Sequence, residues 1–104
     1  MSNVTIRIPT PLRSYTGGAD EVRVQAQTVG DALHALGAAH DGVLSRILDA
    51  AGEPRQFVNI YIGGNNVRRL DGLASAVAEG EVISIVPAVA GGADESQRSR
   101  DRST

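Results

Sequence analysis

Few side chains in this 104-residue sequence are arranged for catalysis. Its two histidines, His34 and His40, lie on and just after a predicted helix, where a histidine is most often part of a solvated surface. The acidic residues are scattered among turns and helix caps, so no pair has a spacing suited to acid–base chemistry. Ser45 and Ser75 lack a nearby histidine or a Gly-x-Ser-x-Gly context. The side chains therefore do not indicate an enzyme.

The chain contains no cysteine. This excludes disulfides, thiolate nucleophiles and cysteine-ligated zinc, and it excludes the iron–sulfur cluster of an electron-transfer domain. Gly63-Gly64 lies between two predicted strands and does not open a helix, so it lacks the helix N-terminus that binds phosphate. We assign no metal and no cofactor to the chain itself.

The net charge is −2, and all ten basic residues are arginines. They are spread along the chain, apart from the Arg68-Arg69 pair and the C-terminal tail, and only three residues are aromatic. Binding to nucleic acid requires a basic patch, so we expect no nucleic-acid partner. We also expect no membrane contact and a cytoplasmic location, because no signal peptide and no apolar run of roughly 20 residues is visible.

Diglycine occurs at 17–18, 63–64 and 91–92, and the first two copies are typical of turns. Gly91-Gly92 follows the last predicted strand through an arm of small residues. That arm consists of Pro87, Ala88, Val89 and Ala90. Because glycine lacks a Cβ atom, the end of such a main chain can enter a narrow channel in another protein.

The elements that precede this arm follow from hydrophobic periodicity. Alternation at 4–8 and 22–26 predicts two strands of a hairpin with a long loop. Residues 57–62 predict a third strand, with Val58, Ile60 and Ile62 facing the core. Residues 82–86 predict the last strand, with Ile83 and Ile85 facing the core. Pro87 ends that strand.

One main helix is predicted between these strands. Thr28 and Asp31 resemble a capping box, and the apolar residues that follow have helical spacing. The stripe consists of Val29, Ala32, Leu33 and Leu36. Gly37 or Asp41-Gly42 stops the helix, and a short helical turn follows at 43–48. One helix on one sheet predicts an α+β domain over residues 1–87, an arm at 88–92 and a disordered polar tail at 93–104.

Four segments of the sequence carry a family resemblance: NVTIRIPTPLRSYTGG, FVNIYI, GLASAVAEGEVISIVPAVAGG and, within the last, the arm PAVAGG. Together they resemble the ubiquitin-like sulfur carriers of the ThiS and MoaD type, and among these the actinobacterial carriers of cysteine biosynthesis. The resemblance covers residues 3–92 and is weakest from about 25 to 55. It implies a β-grasp fold, a mixed sheet packed on one main helix.

The resemblance also implies that the carrier is a protein substrate and that Gly92 is its reactive end. An ATP-dependent, E1-like enzyme would adenylate the Gly92 carboxylate, and a sulfurtransferase step would convert it to a thiocarboxylate. In the cysteine branch the thiocarboxylate attacks an aminoacrylate held on pyridoxal phosphate in a cysteine synthase. The adduct then rearranges to a peptide-linked cysteine, which a zinc metalloprotease releases. ATP, pyridoxal phosphate and zinc therefore belong to the partners.

Partner docking is expected on the arm and on the outward sheet face, where Phe57, Tyr61 and Val86 would leave apolar surface exposed. The alternative is that the two rings only cover the sheet. A second expectation follows from residues 93–104, which must be removed before Gly92 can react. The metalloprotease is the expected agent, and the alternatives are an appended sequence or a precursor that stays inactive.

Other roles remain open at this stage. The sulfur could go to molybdopterin, to thiazole or to a secondary metabolite. Activated Gly92 could also be joined to lysines of target proteins, as in a ubiquitin-like modifier. If Gly92 is never exposed, the hypothesis that remains is a simple adaptor module.

Overall fold

The last strand of the chain lies beside the first, in the middle of the sheet. The computed structural model describes residues 1–87; the arm from Ala88 to Gly92 and the tail at 93–104 lie outside the described residues. In chain order the elements are β1 (Ser2–Arg7), β2 (Glu21–Ala26), α1 (Val29–Ala39), α2 (Val43–Ile47), β3 (Val58–Ile62), β4 (Asn65–Asn66) and β5 (Val82–Pro87).

The five strands form one mixed sheet in the order β2-β1-β5-β3-β4. β5 is parallel to β1 and antiparallel to β3, and the β1–β2 and β3–β4 pairs are antiparallel. The long helix α1 packs against one face of this sheet. The predicted α+β architecture, a mixed sheet around one main helix, is confirmed.

Alternation along β3 and β5 separates a core face from an outward face, as the sequence predicts. Five side chains of these two strands point to the helix and are at most 8% exposed: Val58, Ile60, Ile62, Ile83 and Ile85. Val4 and Ile6 of β1 are buried beside them, and so is Ile8, which directly follows that strand. Phe57 lies one residue before β3 and outside the strand.

Helix α1 starts at the predicted cap, where the Thr28 hydroxyl accepts a hydrogen bond of 3.1 Å from the Asp31 N–H. All four residues of the predicted stripe are fully buried. The helix continues through Gly37 and ends at Ala39. The predicted stop at Asp41-Gly42 is therefore the correct one, and the alternative at Gly37 is wrong. Gly42 then takes φ +86°, a left-handed conformation that favours glycine.

The long loop of the first hairpin contains a 3₁₀-helix, Thr10–Thr16, that sequence reasoning missed. Pro11 lies in its first turn, where its fixed φ suits a helix start. The buried Thr16 hydroxyl closes the turn, bonding the carbonyl of Arg13 at 3.2 Å and that of Ala19 at 2.9 Å. Tyr15 of this segment packs against the core.

Shorter 3₁₀ turns at Val67–Arg69 and Gly72–Ala74 occupy the predicted loop before β5. Across residues 1–87, neither helix has the length and apolar character that crossing a membrane requires.

Candidate functional site

The predicted docking residue on β5 is Val86, whose side chain lies on the outward face and is 43% exposed. In the antiparallel ladder Val86 pairs with Asn59 of β3, and the next residue, Pro87, pairs with Val58. Pro87 is the last described residue. The remaining predicted arm residues, Ala88, Val89, Ala90 and Gly91, and the reactive residue Gly92 lie outside the described part of the chain.

The two predicted aromatic residues lie two positions to either side of Asn59, the ladder partner of Val86. Tyr61 pairs with Ser84, so it is a diagonal neighbour of Val86 across the ladder. Phe57 precedes β3 on the other diagonal and is 64% exposed. Tyr61 is half-buried, so less of its ring is open than the sequence led us to expect. Of the three predicted docking residues, Phe57 and Val86 are therefore the more open.

Arg68 joins this site, and sequence reasoning did not single it out for docking. Its Nη1 donates a hydrogen bond of 2.9 Å to the Asn59 Oδ1, and its Nη2 donates one of 3.0 Å to the Arg55 carbonyl. The Asn59 Oδ1 also accepts a bond of 3.2 Å from the Asn66 Nδ2. The guanidinium is thus anchored to the residue that pairs with Val86.

The Arg68 backbone is held as well. Its N–H donates a hydrogen bond of 2.9 Å to the Asn66 Oδ1, which caps the 3₁₀ turn Val67–Arg69. Arg69 follows it at an exposed position beside Tyr61, in a shallow hollow with Asn65. The adjacent basic pair was the one signal in the sequence for this part of the site.

The remaining polar candidates from the sequence have structural roles. The Ser45 hydroxyl donates to the Gly42 carbonyl at 3.0 Å, and the buried Ser75 hydroxyl accepts from the Asp71 N–H at 3.0 Å. His34 is exposed on α1, at the rim of a hollow of about 600 Å³ on the helix side of the molecule.

The polar groups of that hollow are used within the chain. The Asp49 Oδ1 accepts from the N–H groups of Ala51 and Glu53, and the Arg55 Nε donates to the Ser45 carbonyl. These bonds fix the loop after α2. Within residues 1–87, no three His, Asp or Glu side chains are grouped to bind a metal ion.

Comparison with known proteins gives a family. The model of the ThiS family matches residues 6–92. The "Sulfur carrier protein CysO" of Mycobacterium tuberculosis is 44% identical over 92 residues, which cover 86% of this chain and 99% of that protein. The "Small archaeal modifier protein 3" of Haloferax volcanii is 43% identical over 65 residues, covering 62% of this chain and 70% of that protein.

A solved structure agrees with these relatives. A chain of the Amycolatopsis orientalis BexX/CysO complex superimposes with a TM-score of 0.81 and 36% identity, covering 86% of this chain and 99% of that one. These relatives are named as sulfur carriers and modifiers, so this β-grasp domain, whose strand β5 is followed in the sequence by a diglycine, is a ubiquitin-like carrier rather than an enzyme. The chain belongs to the ThiS family, and it is a sulfur carrier of the CysO, ThiS and MoaD type.

Proposed function

We propose that this carrier works through the C-terminal carboxylate of Gly92, in the service of cysteine biosynthesis. Residues 1–87 are the folded domain, 88–92 the reactive arm and 93–104 a segment removed before activation. The observation that carries the proposal is the end of the family match, which falls on Gly92. The CysO relative supports the same boundary, because the match covers 99% of that protein but only 86% of this chain.

The chemistry needs no side chain of the carrier. A carboxylate is a poor electrophile, so it first attacks the α-phosphorus of ATP and displaces pyrophosphate. A sulfur nucleophile at the oxidation level of hydrosulfide then attacks the acyl carbon and displaces AMP. The product is a thiocarboxylate, which is a strong nucleophile near neutral pH. The lack of cysteine is compatible with this route because the sulfur is held on the main chain.

The described surface supplies the docking for this chemistry. Val86 and Phe57 are exposed apolar side chains near Pro87, the last described residue, after which the arm follows in the sequence. Exposed apolar residues grouped in this way are typical of protein-binding surfaces. We propose that an E1-like adenylyltransferase binds here, so that the arm enters its active site while the sheet face, including Tyr61, stays outside.

The later partners follow from the same proposal. A cysteine synthase dependent on pyridoxal phosphate accepts the sulfur, and a zinc metalloprotease cuts after Gly92. ATP, pyridoxal phosphate and zinc are supplied by these partners. We place the chemistry in the cytoplasm, where the ATP for adenylation is available.

A ubiquitin-like modifier is the second candidate, because the small archaeal modifier protein of Haloferax volcanii is 43% identical over 65 residues. In that role the activated Gly92 carbonyl would be captured by a lysine amine of a target protein. The chain has no lysine, so it cannot form chains with itself through side-chain amines. Lysine conjugates in cells would favour the modifier, and a thiocarboxylate would favour the carrier.

The test is ATP–pyrophosphate exchange catalysed by the E1-like adenylyltransferase of the same organism. The chain ending at Gly92 is expected to support exchange, and the chain through Thr104 is not, because its Gly92 has no free carboxylate. A chain of the shorter length retains the fold, since it spans nearly the whole length of its folded relatives. Equal exchange by both chains, or exchange by neither, would refute the proposal.

A further inference from the structure

Two exposed arginines, Arg68 and Arg69, lie beside the outward face of β3. The stretch between Glu53 and Asp71 also contains Arg55, whose Nε is bonded to the Ser45 carbonyl on the helix side, and no acidic residue. β5, the neighbouring strand, has no charged residue. The whole chain nevertheless has a net charge of −2, so the Arg68–Arg69 pair is opposite in sign to the molecule as a whole.

Among residues 1–87, neither Arg68 nor Arg69 forms an ion pair. The one ion pair among residues 1–87 joins Arg7 and Glu21, 3.5 Å apart on the β1–β2 side of the sheet. The Arg68 guanidinium is bonded to two neutral oxygens instead, those of Asn59 and Arg55. The guanidinium is therefore held by neutral oxygens, and by no acidic side chain, beside the Asn59–Val86 pair.

A fixed arginine is suited to recognition. Arginine has five N–H donors in a planar fork, and the two bonds to Asn59 and Arg55 leave others for a carboxylate. Because the side chain is already ordered, less conformational entropy is lost when a partner binds. Val86 and Phe57 would form the apolar centre of such an interface, and Arg68 and Arg69 its charged rim.

We infer that the E1-like activating partner presents Asp or Glu carboxylates to Arg68 and Arg69, around an apolar contact with Val86 and Phe57. This inference rests on the proposed function and adds the chemistry of the partner surface. An acidic surface would attract Arg68 and Arg69 and repel the acidic residues elsewhere on the carrier. Charge would thus orient the carrier so that the arm approaches the active site first.

The test uses charge reversal in the chain ending at Gly92. R68E/R69E is compared with R23E/R46E, which changes the net charge equally at two exposed arginines on β2 and α2, away from β3. We expect the KM for the carrier in ATP–pyrophosphate exchange to rise on the order of tenfold in R68E/R69E, with kcat and the KM for ATP nearly unchanged. The control should stay within about twofold of the wild type.

Folding controls, two further variants and a salt dependence make the result unambiguous. Circular dichroism and thermal unfolding check that each variant is folded, and R68Q/R69Q removes the charges while keeping a hydrogen-bond donor next to Asn59. R68K/R69K should recover part of the affinity. Added salt should raise the wild-type KM more than that of R68E/R69E, because exposed charge pairs are screened.

Several outcomes would overturn the inference. They are an unchanged KM in R68E/R69E, an equal effect of the control, or a rise in the KM for ATP, which would place the arginines on the nucleotide phosphates. Binding of the carrier to the same enzyme by surface plasmon resonance separates this inference from the proposed function. Charge-dependent binding without exchange would refute adenylation alone, and no binding would refute both.

Discussion

Glu79 shows how one exposed residue secures the start of the sheet. Its Oε1 accepts a hydrogen bond of 2.9 Å from the Asn3 N–H, and its Oε2 accepts one of 3.1 Å from the Asn3 Nδ2. The backbone bond to Asn3, followed by the side-chain bond, lowers the pKa of Glu79 below 4.5, because both favour the charged carboxylate. The contact ties β1 to the turn that leads into β5.

This lowered pKa predicts a pH dependence of stability. The contribution of Glu79 is complete above its unfolded pKa of 4.5 and is lost as the pH falls through the lower folded pKa. Glu79→Gln should therefore be less stable than the wild type at neutral pH, and the difference should shrink in acid. Urea unfolding across this pH range measures it. An NMR titration of Glu79 with its midpoint at or above 4.5 would contradict the account.

The docking role of Val86 and Phe57 makes a second prediction at the scale of residues. The double variant Phe57→Ser, Val86→Thr should raise the carrier's KM in ATP–pyrophosphate exchange on the order of tenfold, because it removes apolar contact from the centre of the interface. Its free energy of unfolding should stay within about 0.5 kcal/mol of the wild type, since both side chains are exposed.

Val82→Thr is the matched control for this variant. Val82 lies on the outward face of the same strand, four positions before Val86. Val82→Thr should leave the carrier's KM in ATP–pyrophosphate exchange within about twofold of the wild type, because no contact is proposed at that end of the strand. An equal rise in both variants would place the interface elsewhere on the sheet.

At the scale of elements, Gly37 allows α1 and α2 to approach closely. A Cβ atom at this position would come within 3.0 Å of both the Cβ and the Cδ2 of Leu44. In an isolated helix Gly→Ala stabilises by roughly 0.5–1 kcal/mol, but overpacking costs about 1–3 kcal/mol. Gly37→Ala should therefore destabilise the protein by about 1 kcal/mol.

Chemical unfolding measures this prediction, and Ala38→Gly is its control in the same helix. Ala38 is exposed, so its replacement reports the helix propensity alone, a loss of roughly 0.5–1 kcal/mol. If Gly37→Ala instead stabilised the protein by the amount that Ala38→Gly loses, the close packing of α1 on α2 would be disproved.

The elements also show which parts of the fold are predictable from sequence. The faces of β3 and β5 and the stripe of α1 follow from local alternation and helical spacing, so they were predicted residue by residue. The 3₁₀-helix Thr10–Thr16 was not, because it depends on how the Thr16 hydroxyl bonds two carbonyls. Whether Gly37 ends a helix also depends on what packs against it, here Leu44.

The site was predictable to a similar extent. Alternation places Val86 and Tyr61 on one face, and the arm is visible as a sequence. Arg68 could not be assigned to that face from the sequence, because its contact with Asn59 forms only when β4 and the 3₁₀ turn fold back beside β3. The basic pair was visible, but its position relative to the arm was not.

At the scale of the whole molecule, the folded domain is a rigid base for a reactive main-chain end. The parallel β1–β5 pair holds the strand before the arm in the middle of the sheet, with α1 behind it. The exposed face beside that strand combines apolar side chains with arginines, while the molecule as a whole is acidic. We therefore interpret the domain as the part that partners recognise and Gly92 as the part that reacts.

The central claim, that Gly92 becomes a thiocarboxylate, is tested most directly by intact-mass spectrometry of the protein isolated from its native cells. The account predicts a chain that ends at Gly92, with a mass raised by the difference between one sulfur and one oxygen atom. A chain through Thr104, unmodified in cells where the activating enzymes are abundant, would contradict it.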